Sequence, residues 1–142
     1  MSRALKFLGL PAEEQCLLMN ALVVVTGVRL RLALLPFRAG ESYCRQRKSE
    51  AKSSCSPERV AWAVDQAGRF LGNATCLVRA VAGQVMLARR GFSSRVSIGV
   101  TPAAPRSAEG SLIAHAWLEF GGRILLGGPD VGRYTRLFTW GS

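Results

Sequence analysis

Cys76, His115 and Asp130 follow one another along the chain, residue types that together can form and resolve a thioester. A cysteine attacks as its thiolate, and the unpaired N–H groups in a helix's first turn favour that charge. Cys76 stands where a helix is predicted to begin, with Asn73 or Thr75 as its cap. The same N–H groups would be positioned to hold a developing oxyanion. The placement equally suits a small thiol buried at a helix start. His115 is the single histidine, and it lies in a run whose alternation predicts a strand. Ile113, His115, Trp117 and Glu119 share one face of that strand; Ala114, Ala116 and Leu118 share the other. A lone histidine on a strand is an ordinary core or surface residue unless a partner orients its ring. Glu119 does not qualify, because four residues along a strand span about 13 Å.

Asp130 is better placed. Gly121-Gly122 predicts a two-residue hairpin turn, so Phe120 should oppose Arg123 and His115 should oppose Gly128. Asp130 then falls two residues further along the return strand, on the face of His115 and about 7–8 Å away at the backbone. Gly128 opposite the imidazole leaves it room. Asp130 also suits a second role, closing the Pro129-Asp130 turn.

The elements that must hold these residues are legible from periodicity. An apolar helix is expected from about Pro11 to Leu35, with Glu13 and Glu14 at its positive end and Pro36 stopping it. Apolar residues cover most of its circumference, so it packs on its own domain, docks a partner or touches a membrane surface. Leu22 and Val25 are the positions where a charge is expected to weaken partner binding while sparing part of the fold. Residues 38–59 are polar and basic and read as a solvated connector. Ser56 caps and Pro57 opens a second helix, to about Leu71, and a third runs from Cys76 to Arg89-Arg90. Beyond Gly91 the period becomes two: Val96 to Val100, Ser111 to Phe120, Arg123 to Gly128 and Arg133 to Trp140 are expected strands. Helices followed by an antiparallel sheet make an α+β fold. The chain divides into an N-terminal apolar helical segment (1–37), a basic connector (38–55) and a catalytic core (56–142), one domain overall.

Composition narrows the classes. At 142 residues with 49% hydrophobic and 20% charged residues, a wholly disordered chain is excluded. A net charge of +10 suggests an acidic partner. The arginines Arg79, Arg89, Arg90 and Arg95 have no acid close in sequence, which raises nucleic-acid binding. Aromatics are not interleaved with them as stacking platforms, so nucleic acid is not the expected partner. The uncharged run from Cys16 to Val28 follows Glu13 and Glu14 rather than a basic segment and is short for a bilayer span. A cytoplasmic protein with reduced thiols is expected, although Cys44 and Cys55 could pair in an oxidising compartment. The four cysteines have no zinc-like spacing, and neither metal nor cofactor is expected.

The order Cys, His, Asp, with the cysteine on a helix start and the other two on adjacent strands, resembles the papain-like and transglutaminase-like arrangement. The blocks Thr75-Cys76-Leu77-Val78-Arg79-Ala80, Arg89-Arg90-Gly91-Phe92, Val96-Ser97-Ile98-Gly99-Val100 and Ala114-His115-Ala116-Trp117-Leu118-Glu119 make the resemblance specific. They are similar to the transglutaminase-like leader peptidases of lasso-peptide biosynthesis. Phe7 to Glu14 and Leu34-Leu35-Pro36-Phe37-Arg38 resemble that family's opening helix. The resemblance implies a transglutaminase-like or papain-like cysteine protease core that removes the leader from a ribosomally made precursor peptide. It implies Cys76 as nucleophile, His115 as general base and then acid, and Asp130 as orienting carboxylate, the last on a looser match across Leu125 to Gly132. It also implies two partners: a small leader-recognition protein that takes the leader as an added strand, and a separate lasso cyclase. The alternative is a non-catalytic scaffold of the same fold that binds precursor and cyclase. Transfer of the acyl group to an amine is a further outcome of the same thioester.

Overall fold

The computed structural model describes residues 6, 8–34, 55–72, 74–102 and 112–141. Three helices, α1 (Ala12–Leu34), α2 (Pro57–Phe70) and α3 (Cys76–Arg89), precede four strands, β1 (Arg95–Pro102), β2 (Leu112–Phe120), β3 (Arg123–Leu126) and β4 (Thr135–Gly141). A 3-10 turn, Pro129–Arg133, links the last two strands. The sheet order is β3-β2-β1-β4, and each neighbouring pair is antiparallel. This is the expected α+β architecture. Most of the connector 38–55, including Cys44, lies outside the described residues; of the loop expected over 101–110, Thr101 and Pro102 belong to β1 and the rest lies outside them.

Local chemistry explains the helix ends. Glu13 and Glu14 occupy the first turn of α1 and Arg31 the last, matching the dipole. The Ser56 hydroxyl accepts from Arg59 N–H with Pro57 at the first helical position. Thr75, of the two candidates, caps α3, accepting from Val78 N–H at 3.4 Å. Leu17, Ala21, Val24, Val25 and Val28 form the buried stripe of α1, which packs on α2 and α3 in one core with Val60, Val64, Val81, Val85, Val96 and Leu118. By length and composition α1 could also cross a membrane, the charge-free run within it having understated its apolar span. Its exposed face carries Met19, Val23, Leu30 and Leu34.

The sheet departs from the predicted register in one place that matters. Phe120 does oppose Arg123, but the pairing shifts between Glu119 and Leu118, which opposes Leu126 and leaves Leu125 bulged. β3 stops at Leu126 rather than Gly128, because Gly127 (φ +113°) and Gly128 (φ +80°) turn the chain into the 3-10 helix. The predicted pairing of His115 with Gly128 therefore does not form. β1 is longer than predicted and its middle is covered on both faces. Val96 faces the helices, whereas the buried Ser97 bonds Thr139 of β4 at 3.1 Å.

Candidate active site

Cys76 is the first residue of α3, half-buried against the apolar core, with its thiol free. Gly83 further along the same helix fixes how α3 lies on the sheet. A Cβ on Gly83 would stand 2.7 Å from Leu118 Cδ2 and 2.8 Å from Leu126 Cδ1. Past the helix end, the Phe92 and Phe120 rings meet edge to face at 5.7 Å. The helix thus runs alongside β2 in the same direction. Cys76 lies seven residues before Gly83, about 10 Å along a helix; His115 lies three residues before Leu118, about 10 Å along a strand. Helix start and histidine therefore share one end of the domain.

They do not share a bond. Alternation along β2 sends Ala116 and Leu118 into the helical core, and His115 and Trp117 to the other face. There the His115 ring packs against Tyr134 (centroids 5.0 Å apart) and Trp117 (6.3 Å). Its Nε2 is hydrogen-bonded to the main-chain oxygen of Gly127 at 2.6 Å. The buried Trp117 donates from Nε1 to Glu119, which also holds Arg136. Glu119, set aside as a partner for His115, thus serves its neighbour on the same face. No hydrogen bond links the Cys76 thiol to His115.

Asp130 departs from its expected position. It sits in the 3-10 turn rather than on a strand beside His115, and it is exposed, with no side-chain partner among the described residues. The reason is the register shift and the Gly127-Gly128 turn, which end the strand before Asp130. Sequence reasoning missed the role of Gly127 because a main-chain acceptor has no residue-type signature. The signal that existed was the Gly127-Gly128 pair, of which only Gly128 was considered, as room for the imidazole.

Two concavities open on the surface formed by the described residues. An open cleft of about 470 Å³ lies between α2 and β3, walled by Trp62, Asp65, Arg123, Leu126, Gly127 and Gly128. A more apolar groove of about 760 Å³ runs between α1 and α2, lined by Leu8, Leu18, Met19, Leu22, Trp62 and Phe70. The basic patch is corrected in one part: Arg79 has an acid in space, Asp65 on α2, at 3.1 Å. Arg90 is likewise engaged, donating to the Met86 carbonyl.

No curated protein and no solved structure matches the chain. The family model described as the transglutaminase-like superfamily matches residues 22–139, from the middle of α1 into β4. That span covers most of the chain and includes both Cys76 and His115, so the protein belongs to the transglutaminase-like superfamily, which includes cysteine proteases.

Proposed function

We propose that this chain is a cytoplasmic cysteine peptidase that removes the leader from a ribosomally made lasso precursor peptide. Cys76 is the nucleophile, and His115 acts first as general base and then as general acid. One observation carries the reading: a free cysteine opens the helix whose start lies at the same end of the domain as the only histidine. Membership of a superfamily that includes cysteine proteases supports the chemistry, and the resemblance of the blocks around Cys76 and His115 supports the substrate.

The thiolate attacks the scissile carbonyl, main-chain N–H groups of the first turn of α3 hold the oxyanion, and His115 protonates the leaving amine. Water activated by His115 then hydrolyses the thioester. The thiol and ring are not bonded in the resting structure; on this reading their contact forms only with the precursor bound, as catalytic hydrogen bonds often do. A small leader-recognition protein delivers the precursor, and a separate cyclase consumes the freed amine.

The missing Cys76–His115 bond favours a second reading, a scaffold of the same fold that holds precursor and cyclase without cutting. Incubating the protein with precursor and recognition protein, then weighing the products by mass spectrometry, separates the two. A leader fragment from wild type and none from Cys76→Ala supports the peptidase. Equal cleavage by both removes Cys76 from the mechanism. No cleavage by either, with all components folded, leaves the scaffold.

A further inference from the structure

We infer that the main-chain carbonyl of Gly127, rather than any carboxylate among the described residues, fixes the protonation and orientation of the His115 ring. A carbonyl oxygen only accepts, so the ring nitrogen 2.6 Å from it must carry the proton. Neutral His115 is therefore the Nε2–H form, and Nδ1 holds the lone pair. The neighbouring rings of Tyr134 and Trp117 pack around the imidazole in that setting.

The chain is built to aim this carbonyl. Gly127 adopts φ +113°, in the region where side chains are strained, and a Cβ there would overlap Trp117 Cβ and stand 2.9 Å from Trp117 Cα. Only glycine lets the backbone pass this close to Trp117 and turn its oxygen to His115. Asp130, the one carboxylate expected at this position, is three residues further on and exposed.

Its consequence for catalysis rests on the peptidase reading. Nδ1 takes the proton as the S–H bond of Cys76 breaks and gives it to the nitrogen of the leaving amine. Nε2–H stays bonded to the Gly127 oxygen throughout, so the proton passes only among Cys76, His115 and the leaving amine, and the carbonyl that orients the ring takes none.

Because His115 is the only histidine, long-range ¹H–¹⁵N spectra of ¹⁵N-labelled protein report it without assignment. At a pH where the ring is neutral, the expected result is a protonated Nε2 whose N–H proton is protected from solvent exchange and directly visible. The signal should persist in Asp130→Asn and vanish in Gly127→Ala. A protonated Nδ1 in wild type, or loss of the signal in Asp130→Asn, overturns the inference, as does its persistence in folded Gly127→Ala. Should Gly127→Ala fail to fold, the wild-type and Asp130→Asn spectra decide. These readouts need no turnover: equal cleavage by Cys76→Ala beside the expected spectra would remove the peptidase reading and leave the ring assignment standing.

Discussion

Gly83 of α3 rests on Leu118 of β2, and that contact brings the helix start level with His115. A side chain at position 83 must displace two leucine methyl groups, Leu118 Cδ2 and Leu126 Cδ1, both in a buried region. Alanine improves helix propensity by about 0.5–1 kcal/mol but overpacks at a cost of about 1–3 kcal/mol. Gly83→Ala is expected to lower stability by about 1 kcal/mol, and Gly83→Leu by about 3 kcal/mol. Denaturant midpoints of the two variants check this. A stabilised Gly83→Leu would show that helix and sheet are less tightly apposed.

How much of this was legible beforehand follows from what each signal depends on. Helix starts at Pro57 and Cys76 depend on local caps, Ser56 and Thr75, and were readable within a residue or two. The strands depend on alternation, which also survives in the sequence. The turn at Gly127 depends on close approach to Trp117, a non-local contact, and alternation alone continues the strand straight through it and through the bulge at Leu125. That single slip moved Asp130 to the wrong neighbourhood. The ion pair of Arg79 with Asp65 was hidden for the same reason, since the two residues sit on different helices.

Thr75 supplies the cap on which the position of Cys76 depends. Its hydroxyl accepts from Val78 N–H, and replacing an N-cap threonine by alanine costs about 1 kcal/mol. Thr75→Ala should therefore lose about that much stability, while Thr75→Ser should lose far less. Thermal unfolding of both variants measures the difference. Equal losses would mean that the methyl group, not the hydroxyl, matters at this site.

Tyr134 packs its ring against the imidazole that the Gly127 carbonyl tethers. Its ring lies 5.0 Å from that of His115, and no bond from its hydroxyl to His115 is part of the contact. Tyr134→Phe should keep the ring in place, whereas Tyr134→Ala frees it to swing. On the peptidase reading a displacement of about 1 Å can cost on the order of 100-fold in rate. Turnover of the precursor should thus fall by about tenfold or more in Tyr134→Ala and stay within about threefold in Tyr134→Phe. Equal losses in both variants would mean that the hydroxyl, rather than ring packing, is the part that counts.

The outer face of α1 is where a charge tests for a partner, and the structure changes which residues to use. Val25, expected to tolerate aspartate in part, is fully buried against α2 and α3, and Leu22 packs partly against the same core. An unpaired charge at position 25 costs several kcal/mol, a large share of a stability of about 5–15 kcal/mol. Val25→Asp should unfold the protein. Val23 is 69% exposed, so Val23→Asp should fold normally and is the informative variant for docking. Circular dichroism of the pair checks the assignment; a folded Val25→Asp would mean that α1 does not pack as described.

Glu58 gives the fold one predictable response to acid. It sits in the first turn of α2, where a backbone hydrogen bond holds its carboxyl below the usual 4.5, helped by the Arg123 guanidinium reaching across from β3. A carboxyl depressed in the folded state binds its proton more readily when unfolded, so stability rises with pH through that range. The contribution is fully present above 4.5 and is lost as pH falls through the lowered folded value. The group is exposed, so the effect is small and weakens with salt. Glu58→Gln should therefore melt slightly below wild type at neutral pH, and the gap should close in acid. A gap that is unchanged at every pH would mean that the side chain acts through shape at the helix start and not through its charge.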